Sequence, residues 1–361
     1  MKHNLALFLS VAALLGLASC RIGQYHRIMS KSFAIVVALF CGAMLLGAGP
    51  LAAQPGPQGD RRVKVIVDND LSGDPDGLFA LAQQVLCESV DLRGIIGAHV
   101  GGGGGPMGRG DQAAASVQKA KDLLEVMGLS GKFAIAKGAS ARMERPDVPQ
   151  DSEGARLIVE EARKCSPERP LFVCMGGPLT DVSSALLLAP DIAPNMIVIW
   201  IGGQEYPFGH PQPWGGISEV EYNLNLDIPA ARYLFNDSSV RLWQVPRDMY
   251  RQCLYSFASM ERHIRPLGTV GAYLMESLER WRRFSAGAAY CLGDSPLVLL
   301  SSLQTFFEPD TASSDFEQTP APYITEDGRY DFSRAGRAVR VYTRIDTYLM
   351  FKDMEDRLAV Q

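Results

Sequence analysis

Residues 63–81 read VKVIVDNDLSGDPDGLFAL, and the order of residue types in this stretch decides the fold. Val63, Val65, Ile66 and Val67 form a short β-branched run of the kind that makes a buried strand. It ends abruptly in four acids, Asp68, Asp70, Asp74 and Asp76, interleaved with Gly73, Pro75 and Gly77. Beyond them Leu78, Leu81, Ala82, Val85 and Leu86 recur at helical spacing, so a strand passes through an acidic loop into a helix. Open α/β sheets place their ligand sites at such turns. Four carboxylates this close repel one another, and a hard cation coordinated by oxygens relieves the repulsion. Ca²⁺, with its tolerance for irregular geometry, suits the loop better than Zn²⁺, which takes His or Cys. The competing reading is a solvated acidic turn, since Asp, Gly and Pro are ordinary turn residues.

Working outward, strands and helices alternate. Asp91–Val100 reads as a second strand running into Gly101–Gly105, a glycine run that no Gly-Lys-Ser/Thr follows and that reads as a loop rather than a nucleotide cradle. His99 ends this strand, either packed as a structural residue or facing the acidic loop. Residues 111–127 form an amphipathic helix, 132–136 a third strand and 152–164 a further helix. Leu171–Met175, Met196–Ile201 and Val240–Val245 are the next strands, residues 249–290 read as mostly helical, and the tail after Asp327 reads as a terminal strand and helix. The pattern predicts an α/β fold, an open and mostly parallel sheet with helices on both faces.

Residues 1–53 carry two export signals in tandem. Met1, Lys2 and the apolar run to Ala18 end at Cys20 in the manner of a bacterial lipoprotein signal, while Met29, Lys31 and the run Phe33–Leu46 end in Leu51-Ala52-Ala53 before Gln54. Translation from Met29 is the economical explanation, and a lipid anchor on Cys20 the alternative. Either way the expectation is a periplasmic or secreted protein, touching membrane only through a signal peptide or lipid, with one domain over 54–361. The signal region holds Lys2, Arg21, Arg27 and Lys31 and no acids, so removing these four charges from a chain of net −5 leaves −9. An acidic domain is a poor partner for nucleic acid. Five cysteines remain, scattered and without CxxC spacing, which argues against both a disulfide framework and zinc.

The opening stretch resembles the N-terminal signature of the inosine-uridine-preferring nucleoside hydrolases, DxDxxxDD before an apolar helix, and especially relatives whose loop reads DxxGDPD. Three later stretches agree with the resemblance: Gly177-Pro178-Leu179-Thr180-Asp181 for the family's GPLTN, Glu221-Tyr222-Asn223 for its EFN, and Gly293-Asp294-Ser295-Pro296 for its HDP segment. The resemblance implies a Ca²⁺ held by Asp70, Asp74 or Asp76, the Thr180 main-chain carbonyl and Asp294. It implies Asp70 as the base that activates water, with Asp76, Glu221 and Asn223 gripping the sugar of a small ribonucleoside, and a homo-oligomer as the assembly. Two departures stand out: the family's leaving-group His falls on Gly293, and the second adjacent Asp of its signature falls on Gly77, with Asp74 extra. His210, in the aromatic loop 206–216 with Phe208 and Trp214, joins His99 and Tyr206 as a candidate to contact or protonate the base, although the loop reads equally as a packed lid. Asp227 reads as a helix N-cap. A calcium-dependent exported receptor for nucleosides or sugars is the alternative to hydrolysis. Phosphatases of the haloacid dehalogenase type also open on a strand and DxD, but they carry Thr or Val where Ser72 stands.

Overall fold

The computed structural model describes residues 62–101, 110–207, 220–282, 287–303, 313–334 and 336–361. The two export signals, His210, Phe208 and Trp214 lie outside them. Six strands appear in order as β1 (Val63–Asn69), β2 (Val90–Gly97), β3 (Ile135–Lys137), β4 (Leu171–Gly176), β5 (Met196–Ile201) and β6 (Arg241–Val245). They are followed by the short pair β7 (Leu254–Ser256) and β8 (Ala289–Cys291), then β9 (Asp315–Pro320), the pair β10 (Tyr323–Ile324) and β11 (Tyr330–Asp331), and β12 (Ala338–Arg344). Eight of them form one sheet in the order β3-β2-β1-β4-β5-β6-β12-β9. Every pairing in it is parallel except the edge pair β12–β9.

Alternation along the strands builds two cores. Val65 and Val67 face one side with Phe172, Cys174, Ile197 and Ile199, against the helices Asp76–Gln84, Ser295–Ser302 and Thr347–Ala359. Ile66 faces the other side with Val173, Met175, Val198 and Trp200, where the helices Glu153–Arg163 and Thr180–Leu188 pack together. Helices on both faces are why these strands carry nearly continuous apolar runs instead of an alternating polar face. Asp111 and Ser152 cap the helices that follow them, accepting the N–H groups of Ala114 and Ala155.

Strand order reverses at β1: β2 and β3 lie on one side of it, β4 and β5 on the other. The carboxyl ends of β1 and β4 therefore diverge into connections that leave on opposite sides, which opens a crevice between them. Asn69 pairs with Gly176 at this end, so the acidic loop after β1 and the glycine turn after β4 lie side by side. Two sequence expectations shift. The third strand starts three residues later than expected, and the expected helical stretch 249–290 contains β7 and β8 beside the helices Phe257–His263 and Gly268–Arg282.

Candidate active site

A cavity of about 360 Å³ opens at the switch point. Asp70, Asp74, Asp76 and Asp294 line it, together with Glu221, Asn223, Tyr222, Tyr250, Trp281 and the backbone of Gly176. The four aspartates expected to surround a cation, Asp76 also expected to grip a sugar, thus share one cavity with Glu221 and Asn223, the other two expected to grip it.

Local backbone explains the gathering. Asp70 closes a tight turn whose carbonyl accepts the Gly73 N–H. Asp76 opens the helix Asp76–Gln84 and turns one carboxyl oxygen to the Gly77 N–H and the other to the Asp294 N–H at 3.2 Å, tying the first motif to the last. Asp294 precedes the helix Ser295–Ser302 and accepts the Asn69 amide at 2.8 Å. At Gly176 a Cβ would stand 2.1 Å from Asn69 Nδ2 and 2.7 Å from Asp294 Oδ2, so only glycine lets β4 approach these groups. Tyr290 donates to Asp74 Oδ2 at 3.1 Å. Glu221 caps the short helix Tyr222–Leu226 through Leu224 N–H and also receives the N–H of Gly203, whose φ of +85° suits glycine. The Asn223 amide donates to the Ile201 carbonyl.

The electrostatics are those of crowded acids. Asp70, Asp76 and Asp294 are buried, and burial is the largest cause holding all three carboxyls well above the ordinary carboxylate range. Repulsion adds to it: Asp294 and Asp74 act on both Asp70 and Asp76, and Asp74 acts on Asp294. Among the described lining residues Arg251 is the only cation. A set of buried carboxylates with backbone carbonyls nearby, and no His among the described lining residues, has the donor chemistry of a hard divalent ion. As placed, no three His, Cys, Asp or Glu side chains among the described residues stand close enough to hold one ion, so closing round a cation would require side-chain rotation.

Three expected site residues lie elsewhere. Thr180 is the first residue of the helix Thr180–Leu188 and does not line the cavity. A carbonyl in that position is directed along the helix toward the N–H four residues on, so the Gly-Pro turn does not present it to a ligand. Gly176, four residues earlier, supplies the backbone that reaches the acids. His99 is also buried away from the cavity. Its Nδ1 accepts the Gly101 N–H at 3.0 Å, which places the ring proton on Nε2, where it is donated to Thr180 Oγ1 at 2.8 Å. Thr180 in turn donates to Asp227 Oδ2 at 2.6 Å, and Asp227 also receives Met143 N–H and caps the next helix at Ala230. Burial lowers the His99 pKa to about 4, so the ring is neutral and structural. Tyr206 is buried too, donating to Gln244 at 2.7 Å. Tyr222 comes with the Glu221-Tyr222-Asn223 string, whereas Tyr250, Trp281 and Cys291 line the cavity without any local sequence signal, because they come from helix ends and a short strand remote from the acidic loop.

In fold the chain is similar to a plant nucleoside hydrolase, with a TM-score of 0.61 and 16% identity over 83% of this chain and 99% of that one. It is similar also to a purine-preferring ribonucleoside hydrolase from Gardnerella vaginalis, with a TM-score of 0.58 and 17% identity over 82% and 98% of the two chains. An inosine-guanosine nucleoside hydrolase matches with a TM-score of 0.60 and 14% identity over 82% and 98%. At these identities the likeness is one of fold. No protein-family model matches the sequence, and no curated protein matches it.

Proposed function

We propose that this cavity hydrolyses the N-glycosidic bond of ribonucleosides, giving free base and ribose, and that Ca²⁺ is the ion its carboxylates hold. One observation carries the reading: four aspartates from opposite ends of the chain share a cavity with Glu221 and Asn223 at the point where the strand order reverses. The likeness in fold to hydrolases of purine and inosine-guanosine nucleosides supports it.

Asp70, Asp74, Asp76 and Asp294, with the Gly176 carbonyl, would hold the cation. When bound it supplies positive charge that lowers the pKa of a coordinated water and draws the sugar hydroxyls in. The remaining work falls to the chain's own groups. Asp70, at the mouth of β1, takes the proton of the attacking water as general base. Burial, then repulsion from Asp294 and Asp74, raises its pKa, which makes the carboxylate a stronger proton acceptor. Glu221 offers a carboxylate to a sugar hydroxyl and Asn223 an amide, which fixes the ring where positive charge develops at the anomeric carbon. Trp281 and Tyr222 give the wall apolar surface against which a planar base can stack.

The test is release of free base from a panel of ribonucleosides by the purified chain, with Ca²⁺ and after chelation. The expected outcome is release that needs the ion. A second reading, calcium-dependent binding without turnover, is favoured by the absence of a His among the described lining residues. It predicts saturable binding of the same ribosides with no base released.

A further inference from the structure

Glu221 is clamped by three hydrogen bonds, with the Asn223 backbone N–H as a further nearby donor. Its Oε2 receives the N–H of Gly203 at 2.8 Å and of Leu224 at 3.0 Å, both from backbone. Its Oε1 receives the Tyr250 hydroxyl at 2.8 Å. One oxygen is thus set by the fold and the other by a single side chain. Tyr250 also lines the cavity beside Gly293. A Cβ at Gly293 would lie 3.4 Å from Tyr250 Cδ2 and 3.3 Å from Asp76 Oδ2, so the ring and the carboxylate closely flank this position. The Tyr250 carbonyl accepts the Cys253 N–H at 3.0 Å and the Cys291 thiol at 3.1 Å, anchoring the residue beside the strand that leads to Asp294.

We propose that Tyr250 is a positioning residue for the sugar end of this cavity: its ring packs beside Gly293, and its hydroxyl fixes Glu221 Oε1 toward the bound ligand. The proposal rests on reading the cavity as a ribonucleoside site. A carboxylate oxygen has two acceptor directions, and with one held by Tyr250 the other is left for a ligand hydroxyl. The phenol stays protonated because burial, then the Glu221 charge, raises its pKa far above the usual value, so it remains a donor throughout the working pH range. The other groups that act on Glu221 are the Tyr222 and Tyr330 phenols and Arg247, whose guanidinium is paired with Glu205 at 2.6 Å.

Tyr250→Phe keeps the ring and removes the donor. The experiment is a carbon-13 NMR titration of the full chain labelled at the glutamate side-chain carboxyls, with the Glu221 signal assigned from Glu221→Gln, combined with calorimetric binding of inosine in excess Ca²⁺. The Tyr250 hydrogen bond lowers the Glu221 pKa against the desolvation that raises it, so Glu221 should titrate at higher pH in Tyr250→Phe than in the wild type. Inosine affinity should fall about tenfold, the loss expected for one hydrogen bond to a charged group. An unchanged Glu221 titration in the variant overturns the proposal, whatever happens to affinity. A shifted titration with no inosine binding by the wild type upholds the Tyr250 contact and removes the ribonucleoside reading instead.

Discussion

The acids of the opening stretch point two ways, and only one set faces the cavity. Asp68 points into the core beside Asp181, and neither of its carboxyl oxygens has a hydrogen-bond partner among the described residues. Asp181 is better served, accepting the Ser152 hydroxyl and the Ala139 N–H, yet burial still raises its pKa to about 6. A pKa raised on folding means that the stability linked to this group is fully present below about pH 4 and is lost as pH rises through 6. Asp181→Asn removes that loss, so its melting temperature should exceed the wild type's at pH 8 and approach it at pH 4. At about 1.4 kcal/mol per unit the gain at pH 8 is at most roughly 3 kcal/mol; thermal melts at the two pH values check it. The cavity acids were legible in sequence because a contiguous loop carries three of them and a matching string the fourth. The Thr180 carbonyl, which the resemblance implied as a ligand, lies outside the cavity because the helix has already begun at that residue.

Elements position the site through close approach more than through side-chain contacts. Gly176 is the clearest case: an added methyl would meet Asn69 and Asp294 head-on. Gly176→Ala should therefore destabilise the chain by about 1–3 kcal/mol, the usual cost of overpacking, and weaken cation binding along with it. Denaturant melts and calcium titration of the variant measure the two effects. Long apolar strands and capped helices were readable from the chain, with Asp227 capping its helix as its residue type suggests. The three-residue strands β7 and β8 were not, because a run that short has no period to detect. They hold Tyr290 and Cys291 beside the acidic loop, and the register that does so is tertiary.

At the scale of the whole molecule, the sheet order creates the crevice and the acids give it charge. Asp70, Asp76 and Asp294 all have folded pKa values above the unfolded value, so the stability linked to them is complete below about pH 4 and is lost as pH rises through the folded values. A bound cation offsets their repulsion. Calcium should accordingly raise the melting temperature more at pH 8 than at pH 5; wherever its concentration is a hundredfold above Kd the stabilisation is about 2.7 kcal/mol, and a chelator should reverse it. Scanning calorimetry with and without the ion at both pH values checks this. The measurement that bears most directly on the central claim compares wild type and Asp70→Asn in saturating calcium, reading base release from inosine and p-nitrophenyl riboside beside the affinity for each. Asparagine keeps the shape and one oxygen but cannot take the proton of water. The expected result is a fall in kcat of ~10²–10⁴ with affinity changed far less. A wild type that releases neither base nor nitrophenol, yet binds both ribosides as tightly as Asp70→Asn does, would contradict it.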